Sequence, residues 1–161
     1  MRVKAEGEGG PPLKILIVED ELLLAMDLES HLVALGQNVL GIAPDAEQAF
    51  GLAAKASPDL ALVDLNLNDG LTGPQIASKL SSAHDSSVVF VTGNPEQIPV
   101  DYAGALGSIT KPWDPKTIEH LVAFVRSLRA ETLGPSSRAP PHMTLAPTFR
   151  DPKLGRTSGR S

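Results

Sequence analysis

Leu13-Lys14-Ile15-Leu16-Ile17-Val18-Glu19-Asp20 is a short, apolar, β-branched run that stops on two acids. A strand with one wet face alternates apolar and polar residues, whereas a strand covered on both faces reads as a nearly continuous apolar run. This stretch therefore predicts the first, central strand of a buried sheet, with Glu19 and Asp20 at its carboxyl end. Next to it, over 21–35, Leu22, Leu24, Ala25, Leu28, Leu32 and Leu35 recur at three and four, and Gly36 stands where a helix should stop.

The alternation continues outward. Residues 39–43 read as a second strand, Pro44-Asp45 as a turn into a helix over 46–55, and Ser57-Pro58-Asp59 as its break. Leu60-Ala61-Leu62-Val63-Asp64 is a third apolar strand that again ends on an acid, followed by a polar loop over 66–73 and a helix over 74–82. Val88-Val89-Phe90-Val91-Thr92 is the fourth strand, and Gly93-Asn94-Pro95 and Pro99 leave only a stunted helix before Gly104. Residues 106–110 make a fifth strand, Lys111-Pro112 a rigid joint, and 115–129 a helix with Ile118, Leu121, Val122, Val125 and Leu128 on one face. Strands alternating with helices imply a parallel α/β sheet covered on both faces, a doubly wound three-layer sandwich. The five-stranded flavodoxin-like order 2-1-3-4-5 is expected, with a site outside the strand ends at the switch between strands one and three, where Asp20 and Asp64 would meet.

At 161 residues with 42% apolar content, the chain can bury one core. The folded unit is placed at 13–130. Residues 1–12 read as a flexible, glycine-containing segment, and 131–161, rich in Pro, Ser and Arg, as a tail that is disordered or held by a partner surface. A net charge of -5 supplies no general footprint for nucleic acid, and no nucleic-acid partner is expected. Cysteine is absent, which excludes thiol catalysis and disulfides. No run reaches the roughly 18 apolar residues of a membrane span, and the N-terminus lacks a secretory apolar stretch, so a cytoplasmic location without membrane attachment is expected.

Carboxylates crowded at strand ends repel one another unless a cation lies between them. Asp20 and Asp64, with Glu19 and the Asn66 backbone carbonyl, could form a partial oxygen shell for Mg²⁺. Beside such an ion the Asp64 carboxylate could attack phosphorus, Lys111 could neutralise a phosphoryl oxygen, and the Thr92 hydroxyl could donate to another. Trp113, the single tryptophan, stands next to this lysine, as a packing residue or as a recognition anchor. The four histidines show no pairing with these acids along the sequence.

Val18-Glu19-Asp20, Val63-Asp64-Leu65, Val91-Thr92-Gly93 and Lys111-Pro112-Trp113, in that order and each at an expected strand end, resemble the signature stations of bacterial response-regulator receivers. The resemblance spans roughly 13–129. It implies an acidic pair at Glu19 and Asp20, a phospho-acceptor at Asp64, a switch hydroxyl at Thr92, and a phosphate-sensing Lys111 before a commonly cis proline. It also implies a sensor histidine kinase or histidine phosphotransferase as partner, a downstream protein target, and a homodimer as one further assembly. Phe90-Val91-Thr92-Gly93 is similar to a variant subgroup marked by Phe-x-Thr-Gly. Where the family carries an aromatic residue three positions before the lysine, this chain has Ser108.

The expectation is a single-domain response regulator that catalyses only its own phosphorylation and dephosphorylation, signalling by partner binding or serving as a phosphate sink. Two rivals stand beside it: a haloacid-dehalogenase-like phosphohydrolase, which would want an acid where Asn66 stands, and a degenerate receiver acting as a scaffold.

Overall fold

A computed structural model describes residues 11–130 and 138–149. The elements are β1 (Lys14–Val18), α1 (Leu22–Ala34), β2 (Asn38–Ala43), α2 (Ala46–Lys55), β3 (Leu60–Val63), α3 (Gly73–Ala83), β4 (Ser87–Thr92), β5 (Gly107–Thr110), α4 (Pro115–Ala130) and β6 (Met143–Leu145). Between β4 and β5 lie only two single-turn 3₁₀ segments, Pro95–Gln97 and Tyr102–Gly104, so the stunted fourth helix is reduced to turns.

The sheet order is β2-β1-β3-β4-β5-β6, and the first five strands are parallel. Successive side chains point to opposite faces, which divides each apolar run between two cores. Ile15, Ile17, Leu62, Val89 and Val91 pack with α1 and α4, while Leu16, Val18, Ala61, Val63 and Phe90 pack with α2 and α3. Burial of one such large side chain contributes about 1.5–3 kcal/mol, which explains why the central strands carry almost nothing polar. The expected three-layer sandwich and strand order are both observed.

Local signals end the helices where the sequence indicates. Gly36 adopts φ +82°, which favours glycine, and its N–H donates to the Val33 carbonyl at 2.9 Å, closing α1. The Asp45 side chain accepts from the Gln48 N–H at 2.9 Å and caps α2. Among the described residues no helix is long and apolar enough to cross a membrane.

The tail requires a correction. Residues 131–161 were expected to be disordered or held by a partner surface, yet Met143–Leu145 pairs antiparallel with β5, Gly107 opposite Leu145 and Ile109 opposite Met143. The Ala146 N–H donates to the Leu106 carbonyl at 2.8 Å, the Thr117 hydroxyl donates to the Pro141 carbonyl at 3.2 Å, and the Phe149 ring lies 6.1 Å from that of Phe124. This strap adds a sixth strand. Its few apolar residues gain their partners from a core built elsewhere, which a composition reading cannot register. Residues 131–137 and 150–161, like 1–10 of the N-terminal segment, lie outside the described residues.

Candidate functional site

The parallel register sets strand ends level: Val18 lies opposite Val63, Val63 opposite Phe90, and Thr92 opposite Thr110. The residues that follow therefore meet on one rim of the sheet. Carboxylate oxygens of Glu19, Asp20 and Asp64 lie within 4.8 Å of one another. Lys111, just beyond β5, reaches back so that its Nζ donates to Glu19 Oε1 at 2.7 Å and to Asp64 Oδ2 at 2.9 Å. Its peptide bond to Pro112 is cis, as the resemblance implied.

Backbone donors fix the acids further. The Leu65 N–H donates to Asp64 Oδ1 at 2.7 Å, and the Glu21 N–H donates to Glu19 Oε2 at 3.1 Å. Glu19 and Asp64 thus each have one oxygen on the backbone and one on the lysine. Asp64 is 9% exposed, enough for a reagent to approach from the rim, while Thr92 is fully buried. The Thr92 hydroxyl oxygen accepts from the Asn94 N–H at 3.0 Å, which leaves its hydrogen available to donate. The Asn66 side-chain amide donates to Gln97 Oε1 at 2.7 Å, tying the loop after β3 to the first 3₁₀ turn.

Two negative groups share one positive group, and the protonation equilibria follow. Burial raises the Glu19 carboxyl above its usual range; hydrogen bonds from Lys111 and the Glu21 N–H oppose this, and the Asp64 charge adds to it. Burial pulls Lys111 down, but its hydrogen bonds to Glu19 and Asp64 and their charges outweigh that, so the ammonium is held above the ordinary lysine value. The lysine is served by two acids, and Glu19 by a lysine it shares with Asp64. An all-oxygen carboxylate donor set of this size suits a hard divalent cation, and the incomplete neutralisation of Glu19 is what such an ion would correct.

The family profile described as the response regulator receiver domain matches residues 15–123, most of the chain. The chain belongs to that family. Among curated proteins, this receiver is 34% identical over 112 residues to the phyllosphere-induced regulator PhyR of Methylorubrum extorquens, covering 68% of this chain and 42% of that one. It is 31% identical over 113 residues to the transcriptional regulatory protein PdtaR of Mycobacterium tuberculosis, covering 67% and 54%. The receiver thus spans about half the length of these relatives. The solution structure of the PhyR response regulator receiver domain of Erythrobacter litoralis matches with a TM-score of 0.64 at 30% identity, covering 71% of this chain and 90% of that one.

Sequence reasoning missed two residues near the receiver site. Gly73 packs directly against the Asp64 carbonyl oxygen, and a Cβ there would also sit 2.6 Å from Leu65 Cα, so only glycine lets the loop close under Asp64. A glycine at a helix start gives no hint of that approach. Tyr102, the single tyrosine, brings its hydroxyl within 3.4 Å of Ser108 Oγ and its ring to 6.5 Å from Phe90. An aromatic group therefore lies beside the position that lacks one, supplied from six residues earlier. His31 pairs with an acid outside the rim cluster: it lies 3.8 Å from Asp27, one turn away on α1, and edge-on to half-buried Trp113 at 5.0 Å. Trp113 packs partly buried against the core that α1 and α4 share.

Proposed function

We propose that the chain is a phospho-accepting response regulator, in which Asp64 takes a phosphoryl group from a phosphohistidine of a kinase or phosphotransferase partner. The observation that carries this reading is the double ion pair of Lys111 with Glu19 and Asp64 at the carboxyl end of the sheet. A lysine so held is a fixed positive charge next to Asp64, which the Leu65 N–H anchors and which is still open to the rim.

In the transfer, Asp64 Oδ2 forms the new P–O bond as the P–N bond breaks, and the electron pair returns to the partner's imidazole nitrogen. Lys111 exchanges its hydrogen bond with Asp64 for one with a phosphoryl oxygen, and the Thr92 hydroxyl turns its hydrogen to another. Mg²⁺ held by Glu19, Asp20, Asp64 and the Asn66 carbonyl would neutralise the remaining phosphoryl charge. Membership of the Phe-x-Thr-Gly subgroup is part of the same reading, supported by Phe90-Val91-Thr92-Gly93 and by the turns that replace a helix after β4. The phosphohydrolase alternative gains no support, because Asn66 is an amide already engaged by Gln97. Intact-mass measurement after acetyl phosphate and Mg²⁺ tests the proposal: a single labile phosphoryl adduct is expected on the native chain and none on Asp64→Asn. A stoichiometric adduct on that variant would refute the acceptor assignment.

A further inference from the structure

The strap over 138–149 covers the edge of β5 and a flank of α4, and β5 is shaped to receive it. A Cβ on Gly107 would collide with the Thr144 carbonyl oxygen and come within 2.9 Å of Met143 Cε and 3.1 Å of Leu145 Cα. All three neighbours belong to the strap. The missing side chain at Gly107 thus makes room for this segment, and Met143, Leu145 and Phe149 supply the apolar contacts with the first core. Three paired residues are a short strand, of the kind that opens locally before the rest of a domain does.

The strap is also connected to the acidic rim. Pro112 and Trp113 form a common wall between a cavity of about 380 Å³ that reaches Glu19, Asp64 and Lys111, and one of about 470 Å³ bordered by His142, Met143 and Thr144. A phosphoryl group on Asp64 would take Lys111 from its present partners, and Lys111 is covalently continuous with both that wall and β5.

We propose that the β5 edge with the flank of α4 is a strand-accepting interaction surface, masked in the resting protein by the chain's own strap. Loading of Asp64 loosens the strap, and the surface then takes the same segment of a second copy, giving a strand-exchanged dimer. A second copy is the occupant the geometry supports, because it carries the segment whose backbone already pairs with this edge and whose Met143, Leu145 and Phe149 already pack on the first core. This inference rests on Asp64 being the phospho-acceptor, and the experiment separates the two.

The test uses the full chain with and without Mg²⁺ and beryllofluoride, a phosphoryl mimic whose binding is followed by fluorine NMR. Amide exchange at low micromolar concentration is expected to quicken about tenfold across 143–146 on loading, and light scattering at high concentration should register a dimer only in the loaded state. Gly107→Ala should exchange rapidly across 143–146 without loading and stay monomeric when loaded, since the added methyl excludes a strand from either copy. Should that variant misfold, Thr117→Val, which removes only the hydroxyl that donates to Pro141, should move exchange in the same direction by less. A loaded site with unchanged exchange across 143–146 overturns the inference and leaves the acceptor reading standing. Failure of beryllofluoride to bind defeats both. A loosened strap on a chain that stays monomeric at high concentration overturns the second copy as occupant.

Discussion

Lys111 shows at the level of one residue why the site is strained toward a second cation. Its raised proton affinity makes its contribution to stability complete below the ordinary lysine value of about 10.4, and that contribution is lost only as pH rises through the elevated value, well above neutrality. The Glu19 carboxyl is also raised, from an ordinary 4.5, so its effect runs the same way at lower pH: the folded state is favoured below 4.5 and loses that advantage as pH rises through the elevated value. Glu19→Gln should therefore flatten the decline in melting temperature between mildly acid and neutral pH in the absence of divalent ions. A parallel pair of melting curves across that range would show that burial of Glu19 costs the fold nothing. Lys111→Ala should still accept phosphoryl groups, because the lysine supplies no bond-forming atom, but beryllofluoride should then fail to change exchange anywhere beyond the rim. The meeting of Asp20 and Asp64 could be read from sequence because each follows an apolar run, and a parallel sheet gathers such ends on one side.

Elements show where that legibility stops. The five parallel strands and the four helices follow period and breakers to within a residue or two, since buried strands and amphipathic helices write their environment into local pattern. Close approaches are not written there. Gly73→Ala should destabilise the protein by about 1–3 kcal/mol in chemical denaturation, because the methyl has the backbone of Asp64 and Leu65 in its way and no flexible side chain to displace. The connection over 93–104 was similarly opaque: Tyr102, Ala103 and Gly104 all have positive φ, at 59°, 49° and 86°, a left-handed turn that non-glycine residues adopt at a cost. This turn carries the Tyr102 ring to Ser108. Loading the site with beryllofluoride should produce a large change in amide exchange over 93–104, as Thr92 turns from Asn94 toward the phosphoryl group. If only the loop over 66–73 responds, signal leaves the site by another route.

For the molecule as a whole, three acids and one lysine at the rim imply linkage between metal and stability. A ligand present at 100 times its dissociation constant adds about 2.7 kcal/mol to a protein that binds it only when folded. Mg²⁺ should thus raise the melting temperature of the native chain, and Asp20→Ala should abolish that rise while leaving the metal-free fold at least as stable, because one repelling charge is removed. A metal-free variant that melts far lower would assign Asp20 to the fold. The strap was the largest feature hidden from sequence: Met143, Leu145 and Phe149 are spaced among prolines with no period of their own, and their meaning lies in the surface they cover.

That dependence has a consequence in time. A chain is made from its N-terminus, so the first five strands can assemble before Met143–Leu145 has left the ribosome. During that interval the growing protein carries a bare strand edge, with Gly107 open to any extended segment nearby, including one from a neighbouring nascent chain on the same message.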